Sequence, residues 1–276
     1  MAEITAAAVK SLRDRTGLPM MECKRALQET GGDEDAAVEK LRKQGRKTME
    51  TRAGRETSAG RIAVYCDADK VGAMVELLCE SAPVAGSPDF VALANDLVKQ
   101  LATGPGAATA DELLVQPSPS KKGSTLREQL DDLSMRIREV FKVGRIVRID
   151  SGCGGYAHHT GTSGVLLEAT GGNESLAKDI SMHVAAMRPL AASVDDLDPT
   201  VVQKEREILA AAAKAEGKPE KIIDKMVEGR LRNYFAEQVL AEQPFVKDDS
   251  KTVGQIAKEG GMKISRFVHW ELGKGE

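Results

Sequence analysis

Residues 61–80 read RIAVYCDADKVGAMVELLCE, and at this point the chain stops looking helical. Upstream, apolar residues return every three or four positions. From Arg61 they alternate or run together, and DADKVG (67–72) supplies turn residues between two apolar stretches. Two strands joined by a turn satisfy that pattern. The same order returns later: Tyr65 precedes Gly72-Ala73-Met74-Val75-Glu76, and Tyr156 precedes Gly164-Val165-Leu166-Leu167-Glu168. A helical stretch follows each. Phe90, Leu93, Leu97 and Leu101 share one face in the first, and Ala177-Lys178-Asp179-Ile180 stands where the first has Ala94-Asn95-Asp96-Leu97. Two copies are too few for a solenoid. The expected core is therefore α+β, made of two similar hairpin-plus-helix subdomains. Between the copies lie a Gly/Pro/Ser-rich connection (103–125) and an amphipathic segment with Leu126, Leu130, Leu133, Ile137 and Val140 along one stripe.

Before this core, residues 1–46 read as three short helices. Thr5 caps the first, whose apolar face carries Ala8, Val9 and Leu12, and TGLP (16–19) breaks it. The second runs from Met20 to Glu29, where TGGD (30–33) ends it and Asp33 caps the third. The third buries Ala36, Ala37, Val38 and Leu41, with Gly45 as its stop, and a polar, weakly periodic linker (46–61), helical or flexible, follows. Adjacent methionines at the start of a helix raise a packing question, because a core has use for one of them. Either Met20 or Met21 points outwards, or both are drawn into the core. After the second copy, Asp198-Pro199 opens a helix and Gly217-Lys218-Pro219 breaks it. Ile222, Ile223, Met226, Val227, Leu231 and Tyr234 then form a narrow stripe. The economical reading is a helical hairpin over 198–240 that projects from the body, with RFVHWEL (266–272) returning as a strand.

Composition removes several function classes. With 276 residues, a net charge of −3 and aromatics at 3%, the chain lacks the basic excess and stacking platforms of a nucleic-acid binder. No apolar run reaches the roughly 20 residues of a membrane span, and the first residues hold no apolar signal core. The four cysteines (Cys23, Cys66, Cys79, Cys153) are scattered without a CxxC pair, as in a reduced, cytoplasmic setting. GCGGYA and GPGAAT sit in turn contexts rather than between a strand and a helix, and no GxxxxGK[ST] is present. His158-His159 with Cys153 lacks further ligands at metal spacing, and neighbours on a strand point to opposite sides, so no metal site is expected. His183 lies on an apolar helix and reads as structural. No catalytic set and no cofactor site emerge. A chain without an active site, but with a methionine pair and a projecting hairpin, reads as a partner-binding protein.

LRDRTGLPMMECKRAL (12–27) resembles the N-terminal signature of elongation factor Ts, close to L-R-x-x-T-G-A-G-M-M-D-C-K-K-A-L. AGRETSAG (53–60), HVAAMRP (183–189), KMVEGRLRNYF (225–235), QPFVKDDSKTVGQIAKE (243–259) and RFVHWELGKG (266–275) continue the likeness in order. That family exchanges guanine nucleotide on the translational GTPase elongation factor Tu. The resemblance implies a ubiquitin-associated-like docking module with linker (1–55) and a first core subdomain (56–150). It also implies a second core subdomain (151–197 with 241–276) and an inserted hairpin (198–240) that dimerises through Ile223, Met226 and Leu231. It assigns docking on the GTPase's nucleotide domain to Arg13, Met20 and Met21, and a second hairpin contact to Tyr156 and His158.

The family's T-D-F-V-A motif, which disturbs the magnesium and phosphate site, falls on Ser81, Ala82, Pro83, Val84 and Ala85. Its carboxylate and its ring are therefore both missing here. Pro83 biases Ala82 towards extended backbone, which implies a stiff apolar probe. PDFVA (88–92) matches the motif locally, yet Phe90 falls on the stripe with Leu93 and Leu97 and reads as core. Thr162-Ser163 replaces Arg-Ile in the second hairpin. The implied function is nucleotide exchange with a modified wedge; the alternative is a relative that binds the GTPase as chaperone or regulator with little exchange.

Overall fold

The computed structural model describes residues 4–274 apart from 53, 68, 69 and 218, and the chain divides into two compact units. The first holds Met1–Arg61 and Val75–Ile146, and the second Ile62–Met74 and Val147–Glu276. Helix α1 (Ala6–Thr16) starts where Thr5 Oγ1 accepts the Ala8 amide at 3.2 Å. Helix α2 (Met20–Glu29) follows Pro19, whose fixed φ of −57° and missing N–H suit a helix entrance. Gly31 and Gly32, at φ 67° and 93°, reverse the chain, and Asp33 accepts the Ala36 amide at 3.0 Å to open α3 (Glu34–Arg52). Val9, Leu12, Cys23, Ala26, Leu27, Ala37 and Leu41 form the core of this bundle, with Ala8 and Val38 packed at its edge.

One stop signal misleads. Gly45 does not close α3, which runs on to Arg52 and absorbs the start of the expected linker. A Cβ built on Gly45 would collide with Met135, so glycine stands there for close approach between helices.

Strands β1 (Ala59–Asp67) and β2 (Val71–Cys79) are the expected first hairpin. The middle of its turn, residues 68 and 69, lies outside the described residues. A short helix α4 (Ala82–Ala85) precedes α5 (Pro88–Thr103), which buries Phe90, Leu93, Leu97 and Leu101. The connection after it is not bare: α6 (Ala110–Leu114) forms there, capped by Thr109. Helix α7 (Leu126–Ile137) begins with a Thr125/Glu128 capping box. It ends before the stripe does. Arg138 takes φ 67°, and the chain enters β3 (Lys142–Ile149), a strand that the helical reading of Val140 concealed. The sheet order is β1-β2-β3.

In the second unit, β4 (Cys153–Ala157) and β5 (Ser163–Gly171) form the second hairpin, and α8 (Glu174–Met187) follows directly. Helices α9 (Pro199–Ala215) and α10 (Glu220–Gln238) pack on each other, with residue 218 of their break outside the described residues. A small β6 (Pro244–Phe245) and β7 (Asp248–Thr252) pair precedes α11 (Val253–Glu259) and β8 (Met262–Glu271). The expected terminal strand is therefore present, and it pairs antiparallel with β5 in the order β4-β5-β8.

The repeat goes further than two hairpins. RIVRI (145–149) on β3 corresponds to RFVHW (266–270) on β8. Arg145 meets Glu76 at 2.7 Å, and Arg266 meets Glu168 at 2.6 Å. Ile149 and Trp270 enter one buried cluster with Ile62, Met74, Cys153 and Leu166. Each copy is thus hairpin, helix and returning strand, an α+β architecture.

Candidate functional site

Helix α2 buries Cys23, Ala26 and Leu27, which leaves its first turn to face outwards. Met20 is 51% exposed and Met21 67%. Both methionines are outside, so the reading that draws both into the core fails. Arg13 is exposed on α1, and among the described residues its guanidinium forms no ion pair. Burying two such flexible thioethers on a partner would remove apolar surface from water at roughly 1.5–3 kcal/mol each.

The segment Ser81–Val84 departs from expectation. Ser81 alone is extended, at φ −127° and ψ 143°, and Ala82 already belongs to α4 with Pro83 behind it. A first helical turn needs no proline N–H, so the ring is accommodated there and does not stiffen an extended probe. Ala82 and Pro83 are exposed, Val84 is half-buried and Ala85 is buried. The turn is anchored from below. The Ser81 amide and hydroxyl donate to the two carboxylate oxygens of Glu139 at 3.1 and 2.6 Å. The Val140 amide donates to Glu80 Oε1 at 2.9 Å, and Arg55 donates to Glu80 Oε2 at 2.9 Å. The Val140 amide and Arg55 together hold the Glu80 carboxyl below its ordinary range. Burial, with the Glu139 charge nearby, pushes the Cys79 thiol up to about 11 and keeps it a neutral packing group. In the local match at 88–92, Phe90 is core and its ring meets Phe141 edge-on at 5.0 Å, while the exposed Asp89 pairs with Arg136 at 3.1 Å.

On the second hairpin, Tyr156 and His158 are half-buried neighbours with ring centroids 6.4 Å apart. His158 Nδ1 lies 2.6 Å from Thr160 Oγ1. His159 corrects the strand argument: its ring centroid is only 4.2 Å from that of His158. Both histidines lie beyond Ala157, the last residue of β4, where strand alternation no longer applies. Tyr156 and His158 edge a groove completed by Ser163, Met182, Arg188 and Glu271.

Sequence distance hid several contacts. Cys66 and Cys153, scattered in the sequence, pack in one cluster, and the neighbouring Cys153 with burial raises the Cys66 thiol. His183 is the structural residue expected, bonded to Gln243 at 2.9 Å. Ile223 and Leu231 are buried inside the α9–α10 hairpin with Ala213 and Val227, and Met226 is half-buried. Among the described residues, the large apolar side chains this hairpin leaves exposed are Val201, Ile208 and Ile222. Residues 80 and 138–140 carried no sequence signal as site residues, because their partners lie far along the chain. Among the described residues, no group of three or more His, Cys, Asp or Glu is placed to hold a metal ion, and no helix is long and apolar enough to cross a membrane.

Comparison with known proteins agrees with these motifs. The family model described as Elongation factor TS matches residues 80–274. The chain is 44% identical over 276 residues to Elongation factor Ts of Methylococcus capsulatus, covering 99% of this chain and 93% of the relative. It is 41% identical to Elongation factor Ts of Thioalkalivibrio sulfidiphilus over 276 residues, with the same coverage of 99% and 93%. With Elongation factor Ts of Clostridium botulinum it shares 42% identity over 287 aligned positions, covering 99% of this chain and 94% of the relative. The chain therefore belongs to the elongation factor Ts family, whose members serve translation elongation as nucleotide-exchange factors and not as enzymes.

Proposed function

We propose that this protein accelerates guanosine diphosphate release from elongation factor Tu in the cytoplasm, so that the GTPase can reload with guanosine triphosphate. Residues 1–55 act as the docking module, with Arg13, Met20 and Met21 against the nucleotide domain. Residues 56–150 carry the turn Ser81–Val84 to the nucleotide site. Residues 151–197 with 241–276 contribute Tyr156 and His158, and the hairpin 198–240 meets a second copy of the chain. The observation that carries the proposal is the outward-facing methionine pair, inside the motif that the family uses for docking.

An exchange factor works by differential binding: it favours the nucleotide-free GTPase, and the nucleotide weakens its binding in return. A roughly thousandfold faster release corresponds to about 4 kcal/mol of coupling. Without the Asp-Phe pair, less of that coupling arises at the magnesium and phosphate site, and more comes from docking. The exposure of Ala82 and Pro83, which present neither a carboxylate nor a ring, favours a second reading: a relative that binds the GTPase as chaperone or regulator with little exchange. Stopped-flow release of fluorescent guanosine diphosphate from the cognate GTPase separates the two. Release that accelerates with added protein supports exchange; tight binding with an unchanged release rate supports the second reading.

A further inference from the structure

The segment Arg138–Val140 joins α7 to β3, and its residues reach both candidate contact elements of the first unit. The Arg138 guanidinium pairs with Glu22, the residue after Met21. The Arg138 carbonyl accepts from Arg52 Nη1 on α3 at 2.8 Å. One residue on, the Glu139 carboxylate accepts both the amide and the hydroxyl of Ser81, at 3.1 and 2.6 Å. The Glu139 carbonyl in turn accepts the Ser134 hydroxyl. Val140 closes the set by donating its amide to Glu80 at 2.9 Å.

Two features separate this arrangement from ordinary packing. Arg138 sits at φ 67°, a left-handed backbone that glycine would adopt with less strain, so the position retains a long charged side chain at a conformational cost. Its ion pair with Glu22 is also solvent-exposed, with side-chain exposures of 49% and 41%. Exposed pairs of this kind add little to stability. What such a pair does fix is direction: it holds the start of α2, where Met20 and Met21 emerge. Glu139, with two charge-assisted hydrogen bonds on one serine, does the same for the turn that presents Ala82 and Pro83.

We infer that Arg138 and Glu139 are positioning residues, which hold the α2 methionine pair and the Ser81–Val84 turn in one fixed relation. Their purpose in exchange rests on the proposed function; the clamp itself rests on the hydrogen bonds. Two contacts held at a set spacing engage a partner as one bivalent surface, and ordering them beforehand lowers the cost of binding.

The test uses the full chain with Arg138→Gly, which keeps the left-handed backbone and removes the guanidinium, and with Glu139→Ala. Glu139→Gln and Glu22→Gln serve as milder versions should either unfold. In the free protein, Glu139→Ala is expected to raise hydrogen exchange of the Ser81 amide about tenfold, while β2 amides stay protected. In release assays on elongation factor Tu, Arg138→Gly is expected to raise the half-saturating concentration about fivefold with the maximal rate kept. Glu139→Ala is expected to lower the maximal rate about fivefold, with half-saturation changed less than about twofold. A purely structural role would lower the melting temperature and leave this split absent. Folded variants with wild-type Ser81 exchange, or with both kinetic constants unchanged, would overturn the inference. If the wild-type protein itself fails to accelerate release, the proposed function falls, and the amide exchange still decides whether the clamp exists.

Discussion

At His183 both ring nitrogens are committed. Nε2 faces Gln243 Oε1 at 2.9 Å, and Nδ1 accepts the Val246 amide at 3.3 Å, which selects the neutral tautomer with its proton on Nε2. A second proton would have to displace the amide, and burial lowers the pKa below its ordinary 6.5. The folded state therefore binds fewer protons than the unfolded state once the pH falls below about 6.5. Stability is full above that value and declines as the pH drops towards the folded pKa. His269, lowered by burial as well, acts in the same direction. Urea unfolding at pH 7 and pH 5 is expected to show the loss, and His183→Gln to flatten the profile. An equal slope in the variant would assign the titration elsewhere. The two Glu–Arg pairs of the repeat give a second residue-scale comparison. Glu76 and Arg145 have side-chain exposures of 8% and 20%, against 23% and 60% for Glu168 and Arg266. Glu76→Ala removes a largely buried carboxylate that meets Arg145 at 2.7 Å and is expected to cost about 3 kcal/mol. Glu168→Ala is expected to cost about 1 kcal/mol or less, read by the same unfolding curves.

Among the elements, α2 and the α9–α10 hairpin show what patterning reveals and what it conceals. The caps, the Pro19 entrance and the Gly31-Gly32 reversal act locally, so α1 to α3 were legible from neighbouring residues. Gly45 misleads because the reason for it, Met135, lies on another helix. Strand β3 is hidden in the sequence because Val140 extends the α7 stripe by period, although the left-handed Arg138 has already ended the helix. For α2, the double substitution Met20→Ser with Met21→Ser is expected to leave the melting temperature within about 2 °C, since neither residue is core. Binding to the GTPase should weaken by about 2–4 kcal/mol if both methionines act as interface anchors. Retained affinity would move docking away from this turn. In the hairpin, Ile223 and Leu231 are occupied by Ala213 and Val227, so Ile223→Asp is expected to unfold the hairpin before it reports on assembly. The residues that can speak for a second copy are the exposed Ile208 and Ile222. Ile208→Asp with Ile222→Asp should preserve helicity and lower the mass in sedimentation. Unchanged mass with full helicity would separate self-association from this face.

For the whole molecule, the question is how docking energy becomes faster nucleotide release. The family was legible because local motifs run along the chain, from LRDRTGLPMMECKRAL to RFVHWELGKG. The supports of the turn at Ser81 were not, since Glu139 reaches it from beyond four intervening helices. Those supports make restoration of the family motif a well-posed experiment. Threonine at position 81 keeps a hydroxyl for Glu139, and Ala82 and Pro83 face outwards, so the triple change Ser81→Thr, Ala82→Asp and Pro83→Phe meets no core. Loss of proline restores an N–H in a first turn that needs no acceptor, and an aspartate suits that end of a helix. The added carboxylate and ring would act on the magnesium and phosphate site, which exists only while nucleotide is bound. Their effect should therefore appear in the maximal release rate, by about tenfold or 1.4 kcal/mol, and only weakly in the half-saturating concentration. A rate that stays constant or falls, from a variant that melts like the wild type, would show that the partner's pocket is shaped around Ala82 and Pro83. Fast exchange by this chain would then be driven by docking, without help from a wedge.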